Sequence, residues 1–577
     1  MKTYRKIIAL SCLTLSVFML NAQTQDEYNE NVTVNVSFDP MVNDANKINE
    51  NPTIFDTSFT QVDFSFDRIK RGYKTSLTFD TIKAATVKGE PTATLYNIHL
   101  KGGLGFSYGG KELANGFVPL LQASYTSLRD RKLLYGADFY SRSAIAGQKN
   151  YGHNAFTNDD ISLWGKRIFN SYSVYSKAYY NYSRHYLYGE KYTLEDVEKK
   201  YYRNSFHNLG FDIGYDKLER DNSLQHNAKF NFNYTKNNKG ARELDLHFLL
   251  DAYKDLNLFS NASNEILGLT FDYKHHFFKY NGKFEIPSQF VDFMGNSFKN
   301  NYALFNFSPY FIFDYNKFHI FASLGIVPSI DGHKSIQTLP TATISFELIQ
   351  QLLSLYGGLK SESIAPTLHQ TSLDNPFILA NSRLEDMSKT SFFAKAFLNV
   401  SRSFNLSLEG GLSSLRNQGF YINYSDFPFA TGIVYDNAKR YYATLETKVT
   451  IGNSFVANIS ATYQKLDRDD NYAAWYNPAF TLLSKLSYNY KDKLNVTLAP
   501  TFKTKTKALV KSFAPNSIGK EKDIKAMVDV NLYATYQYTE NWSIFLNLEN
   551  IGFQQYMAFY NYPVYQFTIL AGASYRF

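Results

Sequence analysis

The chain has 577 residues, a formal net charge of +8, and an aromatic content of 17% that comes from 46 Tyr, 49 Phe and only 3 Trp. Charged residues make up 19%, and the mean hydropathy is negative at -0.34. A soluble protein would have to bury most of these rings, so the composition instead favours surfaces on which apolar and polar side chains alternate. The basic residues form no stripe, which argues against nucleic acid as a partner.

Residues 1–22 have the pattern of a cleaved secretory signal peptide. A basic region is followed by an apolar stretch from Ile7 to Leu20 and by a small residue, Ala22, at the expected cleavage point. This stretch is too short to span a membrane comfortably as a helix, and an uncleaved anchor is the alternative. The single cysteine, Cys12, lies within it, so we expect a mature chain without disulfides or thiol chemistry.

Residues 23–94 alternate only weakly and differ from the rest of the chain. The stretch "NVTVNVSFDP" (31–40) is long enough for one strand, whereas the polar stretch 41–57 has the composition of irregular structure. We therefore expect residues 23–94 to form a short N-terminal arm, either in the periplasm or in the lumen of a barrel.

From residue 95 onward, apolar and polar residues alternate through most of the chain. Near the start, Leu100 and Leu104 fall on one face and Lys101 on the other. This period of two is strand geometry, because successive side chains of a strand point to opposite faces. The pattern recurs in later segments, among them 441–451, 455–464, 528–538 and 542–549.

Two features favour a transmembrane β-barrel over a soluble β-sandwich, which would also alternate. The predicted strands are about 11–15 residues long, whereas strands of soluble sheets average about 5–6. Tyr, Trp and Phe also gather at the strand ends, as membrane interfaces require. So long a sheet would expose aggregation-prone edges unless it closed. We therefore predict an all-β fold in which residues 95–577 form a large antiparallel transmembrane barrel.

The connections alternate between tight and long, as in outer-membrane barrels, whose periplasmic turns are short and outer loops long. Counting on this scheme predicts about 22 strands, roughly 20–24, and an even number is expected. The weakest assignments are the strand near Ile161–Phe169 and the region 241–278. Tight turns are predicted at 129–132, 219–222, 315–317, 401–404, 451–454, 490–493 and 539–542, and long loops at 188–203, 279–298, 362–387, 417–438, 465–476, 506–523 and 552–563.

The last segment, "YQFTILAGASYRF" (565–577), divides into an apolar face and a polar face, with Leu570 as the exception on the polar side. The apolar face suits contact with lipid, and the aromatic residues at both ends suit the two membrane interfaces. Its polar face is therefore predicted to line the lumen.

The ending resembles the last hairpin of TonB-dependent outer-membrane receptors. The terminal aromatic residue also resembles the signal that the barrel-assembly machinery reads in outer-membrane proteins. The resemblance covers residues 95–577 and implies a barrel of 22 strands, surrounded by outer-membrane lipid, that serves transport or reception. The matching residues are Asn547, Leu548 and Asn550 in the first strand of the hairpin, Tyr562 and Pro563 in its loop, and Tyr575–Phe577 at the end.

The N-terminal arm departs from this family. Receptors of the family carry a folded plug inside the barrel, and residues 23–94 are too few for one, so the sequence resembles a receptor barrel lacking a full plug. The stretch 31–40 lies about where such receptors carry a segment that pairs with TonB, and an ordinary strand is the alternative. TonB is thus a candidate partner, as are periplasmic or surface lipoproteins.

No constellation of residues predicts catalysis, a cofactor or a bound metal, so we assign no catalytic, cofactor-binding or metal residues and expect a protein that is not an enzyme. His275 and His276 are adjacent, so in a strand they would point to opposite faces and could not share a site. His99 and His185 fall on the polar face, where a lumenal role is the plainer explanation. Three carboxylates of one outer loop could bind a cation, with a solvated loop tip as the alternative: Asp467, Asp469 and Asp470.

The polar face carries charges of both signs without a ring of one sign, which suits a water-filled path or a surface that packs a plug or partner. We expect a protein of the Gram-negative outer membrane that acts as a transport channel or receptor for an unidentified solute. The alternative is a plugless accessory or structural barrel acting with envelope lipoproteins or an outer-membrane machine. Because an open barrel this wide would breach the membrane, the arm 23–94 or the loop 362–387 is expected to close it. The expected lumen-facing charges are Lys101, Lys177, Glu446, Lys448, Asp529, Glu549 and Arg576.

Overall fold

The computed structural model describes most of the chain from Tyr96 to its end. The described residues are 96–127, 132–189, 198–218, 223–256, 258–259, 262–281, 297–330, 336–425, 430–452, 454–470, 472–512 and 517–577. The predicted signal peptide 1–22 and arm 23–94 lie outside them. Within this part of the chain, no helix is both long and apolar enough to cross a membrane.

The described residues form a closed antiparallel barrel of 22 strands, as the alternation predicts. Two short helices lie in loops, α1 (Lys199–Tyr202) and α2 (Leu368–Asp374). The strands are β1 (Ile98–Tyr108), β2 (Gly116–Thr126), β3 (Leu133–Ala146), β4 (Phe156–Ile168), β5 (Tyr172–Tyr186), β6 (Arg203–Lys217), β7 (Gln225–Asn237), β8 (Ala241–Asp255), β9 (Ala262–Tyr280), β10 (Phe298–Tyr315), β11 (Phe318–Val327), β12 (Ser329–Ile330), β13 (Gln337–Ile349), β14 (Leu353–Ile364), β15 (Met387–Ser401), β16 (Phe404–Tyr424), β17 (Thr431–Ile451), β18 (Phe455–Arg468), β19 (Phe480–Tyr490), β20 (Leu494–Lys503), β21 (Thr506–Lys511), β22 (Lys520–Ile524), β23 (Met527–Gln537), β24 (Trp542–Glu549), β25 (Met557–Phe559), β26 (Tyr562–Pro563) and β27 (Phe567–Arg576).

Consecutive wall strands pair in order around the barrel, and the short strands β12, β21, β22, β25 and β26 belong to the connections. The last strand closes the wall by pairing with the first, in a register that sets Phe106 opposite Ile569. The carbonyl of Phe577 accepts hydrogen bonds from the backbone N–H groups of Asn97 (2.9 Å) and Ile98 (2.8 Å). The terminal residue therefore belongs to the seam, which is the pairing of β1 with β27 that closes the barrel. No sheet edge is left free there.

The two faces of the wall follow the alternation of the sequence. On β1, the side chains of Leu104 and Phe106 are 62% and 47% exposed on the outer surface, whereas Ser107 is buried inside. The Ser107 hydroxyl lies 2.7 Å from the Thr568 hydroxyl across the seam. Exposed apolar side chains on the outside and hydrogen-bonded polar ones on the inside are the pattern of a barrel that faces lipid.

Aromatic side chains gather on the outer surface near the short turns. The rings of Trp542 and Tyr575 lie 4.7 Å apart, and those of Tyr575 and Phe577 lie 5.4 Å apart. These amphipathic rings are typical of the headgroup level of a membrane. In outer-membrane barrels the short turns lie at the periplasmic end. The opposite end of this barrel carries the long connections and is called the mouth below.

Leu570, the exception on the polar face of the last strand, has a partner inside the barrel. It packs with Val118, Leu120, Ala144 and Phe545 in one apolar cluster of the inner wall. The exception therefore marks an apolar patch in a lumen that is otherwise polar.

Among the described residues, most of the predicted turns and strands are confirmed and one predicted loop is wrong, whereas the predicted turns 129–132 and 219–222 lie wholly or mostly outside those residues. The turns 315–317, 401–404, 451–454, 490–493 and 539–542 each join consecutive wall strands, and the doubtful strand near Ile161 is the regular strand β4. The predicted loop 417–438 is instead mostly strand, because β16 and β17 stay paired as far as Asn423 and Thr431. This extension holds its shape because Phe420 and Ile422 pack against Trp475 of a neighbouring loop.

Candidate functional site

Three long connections meet at the mouth in a cluster of aromatic side chains. We call Tyr188, Phe377, Phe559 and Tyr562 the aromatic hub. Tyr188 follows β5, Phe377 lies in the loop 365–386 between β14 and β15, and the other two lie between β24 and β27. Together with Tyr186, Leu187, Tyr202 and Leu379, they form one buried apolar core.

The rings of the hub are in direct contact. Phe377 stacks on Tyr562 with ring centroids 3.7 Å apart, and Tyr188 meets both of these rings edge-on at 5.5 Å and 5.0 Å. Phe559 meets Phe377 edge-on at 6.0 Å. Burial raises the pKa of the Tyr188 phenol, which stays protonated and donates a hydrogen bond to the carbonyl of Pro563 at 3.1 Å. Stacked and edge-on pairs of this kind stabilise a single arrangement of the loops.

The three connections start from distant positions around the wall. The strands β7 to β13 lie between the first and second connections, β16 to β23 between the second and third, and β1 to β4 between the third and first. Connections so far apart around a barrel can touch only by reaching inward across the mouth. The aromatic hub therefore bridges the mouth.

The loop 365–386 is anchored to the wall at several points. The Asn204 side chain on β6 donates hydrogen bonds to the carbonyls of Pro376 (2.9 Å) and Ile378 (3.1 Å). The backbone N–H of Leu379 donates to the carbonyl of Thr431 on β17 at 2.8 Å. These buried polar contacts fix the loop, because an unpaired buried amide would be costly. The loop expected as one of two closing elements, 362–387, thus lies at the mouth, and the other, the arm 23–94, is outside the described residues.

The inner wall is lined by ion pairs. Arg142 on β3 contacts both carboxylate oxygens of Glu549 on β24, at 2.8 and 2.9 Å. Lys395 on β15 lies 3.3 Å from Glu409 and 3.5 Å from Glu446. Glu446 and Glu549 thus lie in the lumen as predicted, each beside a basic side chain. Charges of opposite sign compensate each other here, so the wall is polar without a strong field of one sign.

Other predicted residues also find defined places. His185 lies at the base of the hub, with its ring 6.3 Å from that of Phe377. At the end of β18, Asp467 pairs with Lys465 at 2.9 Å, and Asp470, just after the strand, pairs with Arg468. These two carboxylates therefore contact basic side chains, which favours a solvated loop tip over a cation site.

A second polar group, which the sequence reasoning missed, lies on the inner wall beneath the loop 365–386. Glu243 and Asp245 on β8 face His276 on β9, and the register pairs Asp245 with His276. Asp245 Oδ1 accepts a hydrogen bond from His276 Nδ1, and the backbone N–H of Leu368 donates to Glu243 Oε2 at 2.6 Å. His275 points the other way, where its ring stacks on that of Phe277 at 3.8 Å, as the alternation predicts.

Solved structures share this barrel, although no protein-family model and no curated protein matches the sequence. The siderophore receptor PirA from Acinetobacter baumannii has a TM-score of 0.62 at 12% identity, over 84% of this chain and 81% of its own. The ferric enterobactin receptor PfeA from Pseudomonas aeruginosa has a TM-score of 0.62 at 12% identity, over 84% and 82%. The FrpB iron transporter from Neisseria meningitidis has a TM-score of 0.58 at 12% identity, over 84% and 82%. The chain thus has the 22-stranded barrel fold of TonB-dependent outer-membrane receptors.

Proposed function

We propose that this protein is an outer-membrane receptor or transporter whose lumen admits a polar solute when the loops at its mouth move apart. We also propose that the protein is exported through a cleaved signal peptide and inserts with its short turns in the periplasm. Its role is binding and passage of a solute rather than catalysis.

The observation that carries this proposal is the aromatic hub. A barrel of 22 strands encloses a lumen wide enough to leak unless something fills or covers it. A cover made of three loops, which are joined by ring contacts and hydrogen bonds rather than by strand pairing, can separate without disturbing the wall. Loops that meet over the axis therefore suit a passage that opens and closes.

The lining suggests the kind of solute. The pairs Arg142–Glu549 and Lys395–Glu409 present charges of both signs, with many neutral hydrogen-bonding groups between them. Such a wall can solvate a bulky polar molecule without selecting a simple anion or cation. The names of the neighbouring structures refer to siderophores and iron, so ferric siderophores are the first class to test.

The test is uptake in a Gram-negative host that lacks its own siderophore receptors. Cells expressing the full chain receive radiolabelled ferric siderophores of several chemical classes and, in parallel, unrelated polar solutes of similar size. We expect saturable accumulation of one class above cells that carry the empty vector.

The matched control replaces the loop 365–386 with a short Gly/Ser turn, which should turn saturable uptake into a non-saturable leak. No accumulation of any solute by the full chain, together with no leak through the shortened variant, would overturn the proposal.

A further inference from the structure

The polar group beneath the loop 365–386, formed by Glu243, Asp245 and His276, contains several buried polar atoms without a hydrogen bond. Glu243 and His276 are only 1% and 3% exposed. Glu243 Oε1, Asp245 Oδ2 and His276 Nε2 have no hydrogen-bond partner within the described residues, and neither has the hydroxyl of Tyr302. Buried polar atoms are rarely left without a hydrogen bond, because their desolvation is then not compensated. Two of the four, Glu243 Oε1 and His276 Nε2, face each other at 3.2 Å, and together the four are donors that a shared ligand could use.

The contacts of the His276 ring indicate where that ligand would bind. Nδ1 lies against Asp245 Oδ1, so Nε2 is the ring nitrogen that remains to face a ligand. Nε2 lies 3.2 Å from Glu243 Oε1, yet the two atoms are not aligned for a hydrogen bond. A carboxylate that holds one ring nitrogen while the other faces outward is the usual arrangement around a metal-binding histidine.

We propose that Glu243 Oε1 and His276 Nε2 bind a divalent transition-metal cation, while Asp245 holds the imidazole through Nδ1. One atom from each of the three residues can be chosen so that all lie within 4.8 Å of one another. Small side-chain rotations would bring Glu243 Oε1 and His276 Nε2 to the metal-ligand distances of about 2.0–2.2 Å that zinc sites show.

The ligand set also indicates which cation. One imidazole and one carboxylate, with a second carboxylate behind the imidazole, suit Zn²⁺, Fe²⁺ or Mn²⁺, whereas Mg²⁺ and Ca²⁺ prefer oxygen ligands alone. The Tyr302 ring, which lies 4.8 Å from the His276 ring, places a further unpartnered hydroxyl near the carboxylates. An oxygen donor there can hold a metal-bound water.

The site connects the wall to the mouth. Glu243 would bind the cation through Oε1 while its Oε2 accepts the hydrogen bond from Leu368, at the start of α2 in the loop 365–386. A bound cation would therefore fix the carboxylate that anchors this loop. We expect the metal to stabilise the covered arrangement of the mouth.

The test uses the purified full chain in detergent, stripped with a chelator and then equilibrated with Zn²⁺. Zinc content is measured after gel filtration, and Co²⁺ serves as a second probe because its visible absorption reports the ligands. We expect one zinc ion per chain in the wild type, and a loss of affinity of roughly 10–100-fold or more in His276→Gln and Glu243→Gln. An equal concentration of Mg²⁺ should not compete.

His275→Gln is the matched control, because it changes the neighbouring residue on the opposite face of the same strand. It should bind zinc like the wild type. The shift of the folded barrel on unheated gels confirms that each variant has folded, and Glu243→Gln keeps the test decisive if His276→Gln does not fold. Equal zinc binding by the wild type and the folded variants, which would place the zinc elsewhere, or no binding by the wild type, would overturn the proposal.

Discussion

Replacing Phe377 with alanine should loosen the mouth without damaging the barrel. The ring stacks on Tyr562 at 3.7 Å and meets Tyr188 and Phe559 edge-on at 5.5 Å and 6.0 Å. Removing a buried Phe side chain costs about 3–5 kcal/mol, and each aromatic pair contributes about 0.5–1.5 kcal/mol beyond its buried area. Because Phe377 lies in a loop, the cost falls on the covered arrangement of the mouth rather than on the paired wall.

A loss of about 3 kcal/mol shifts the equilibrium between covered and uncovered mouth by about 100-fold, since each 1.4 kcal/mol is a factor of ten. The assay is entry of a dye or antibiotic that is too large for the porins of the host, measured in cells with equal amounts of assembled protein. Phe377→Ala should admit it much faster than the wild type.

The matched control is Phe392→Ala, which removes the same ring from the lipid-facing side of β15. This variant should leave dye entry unchanged. Wild-type dye entry in Phe377→Ala, or an equal rise of dye entry in both variants, would show that the hub does not cover the mouth.

Further predictions concern the wall and its seam. Arg142→Leu strands a buried carboxylate and should destabilise the barrel by about 3–5 kcal/mol in urea unfolding, whereas adding Glu549→Leu should recover most of the loss. Deleting Phe577 removes both its ring and the seam hydrogen bonds, whereas Phe577→Ala removes the ring alone. The deletion should therefore reduce the amount of folded, heat-modifiable protein in membranes more than the substitution does. Equal effects would contradict a role for the seam hydrogen bonds. Gly210→Ala would place a Cβ 2.1 Å from the Tyr179 ring and should cost about 1–3 kcal/mol, and an unchanged urea midpoint would refute the close packing.

The fold was largely predictable because its signals are local. The period of two determines which face each residue takes, so the outward position of Leu104 and the inward position of Lys101 follow from the sequence alone. Short polar turns such as 490–493 show where strands end, and counting them leads to the observed number of strands. The sequence predicted that charged side chains face the lumen but not which of them form pairs, because alternation assigns the face of a residue and not its partner.

The contacts at the mouth could not be predicted for a physical reason. Phe377 and Tyr562 are far apart in the sequence, and no local pattern encodes the meeting of two loops. The group of Glu243, Asp245 and His276 depends on the register between β8 and β9, which alternation leaves open. The sequence does place the two carboxylates of Glu243 and Asp245 on one face of a strand. Only the register shows that His276 lies opposite them. The loop 417–438 was wrong because Trp475 supplies, from a distant segment, the packing that extends those strands.

Single-channel current of the purified full chain in a planar bilayer measures directly whether the loops cover the lumen. It is compared with a variant in which a short Gly/Ser turn joins Ile364 to Met387 in place of the loop 365–386. We expect a silent or only briefly opening full chain, and large steady currents after the loop is shortened. Large steady currents from the full chain, or silence from the shortened variant, would contradict a lumen that is covered by its loops.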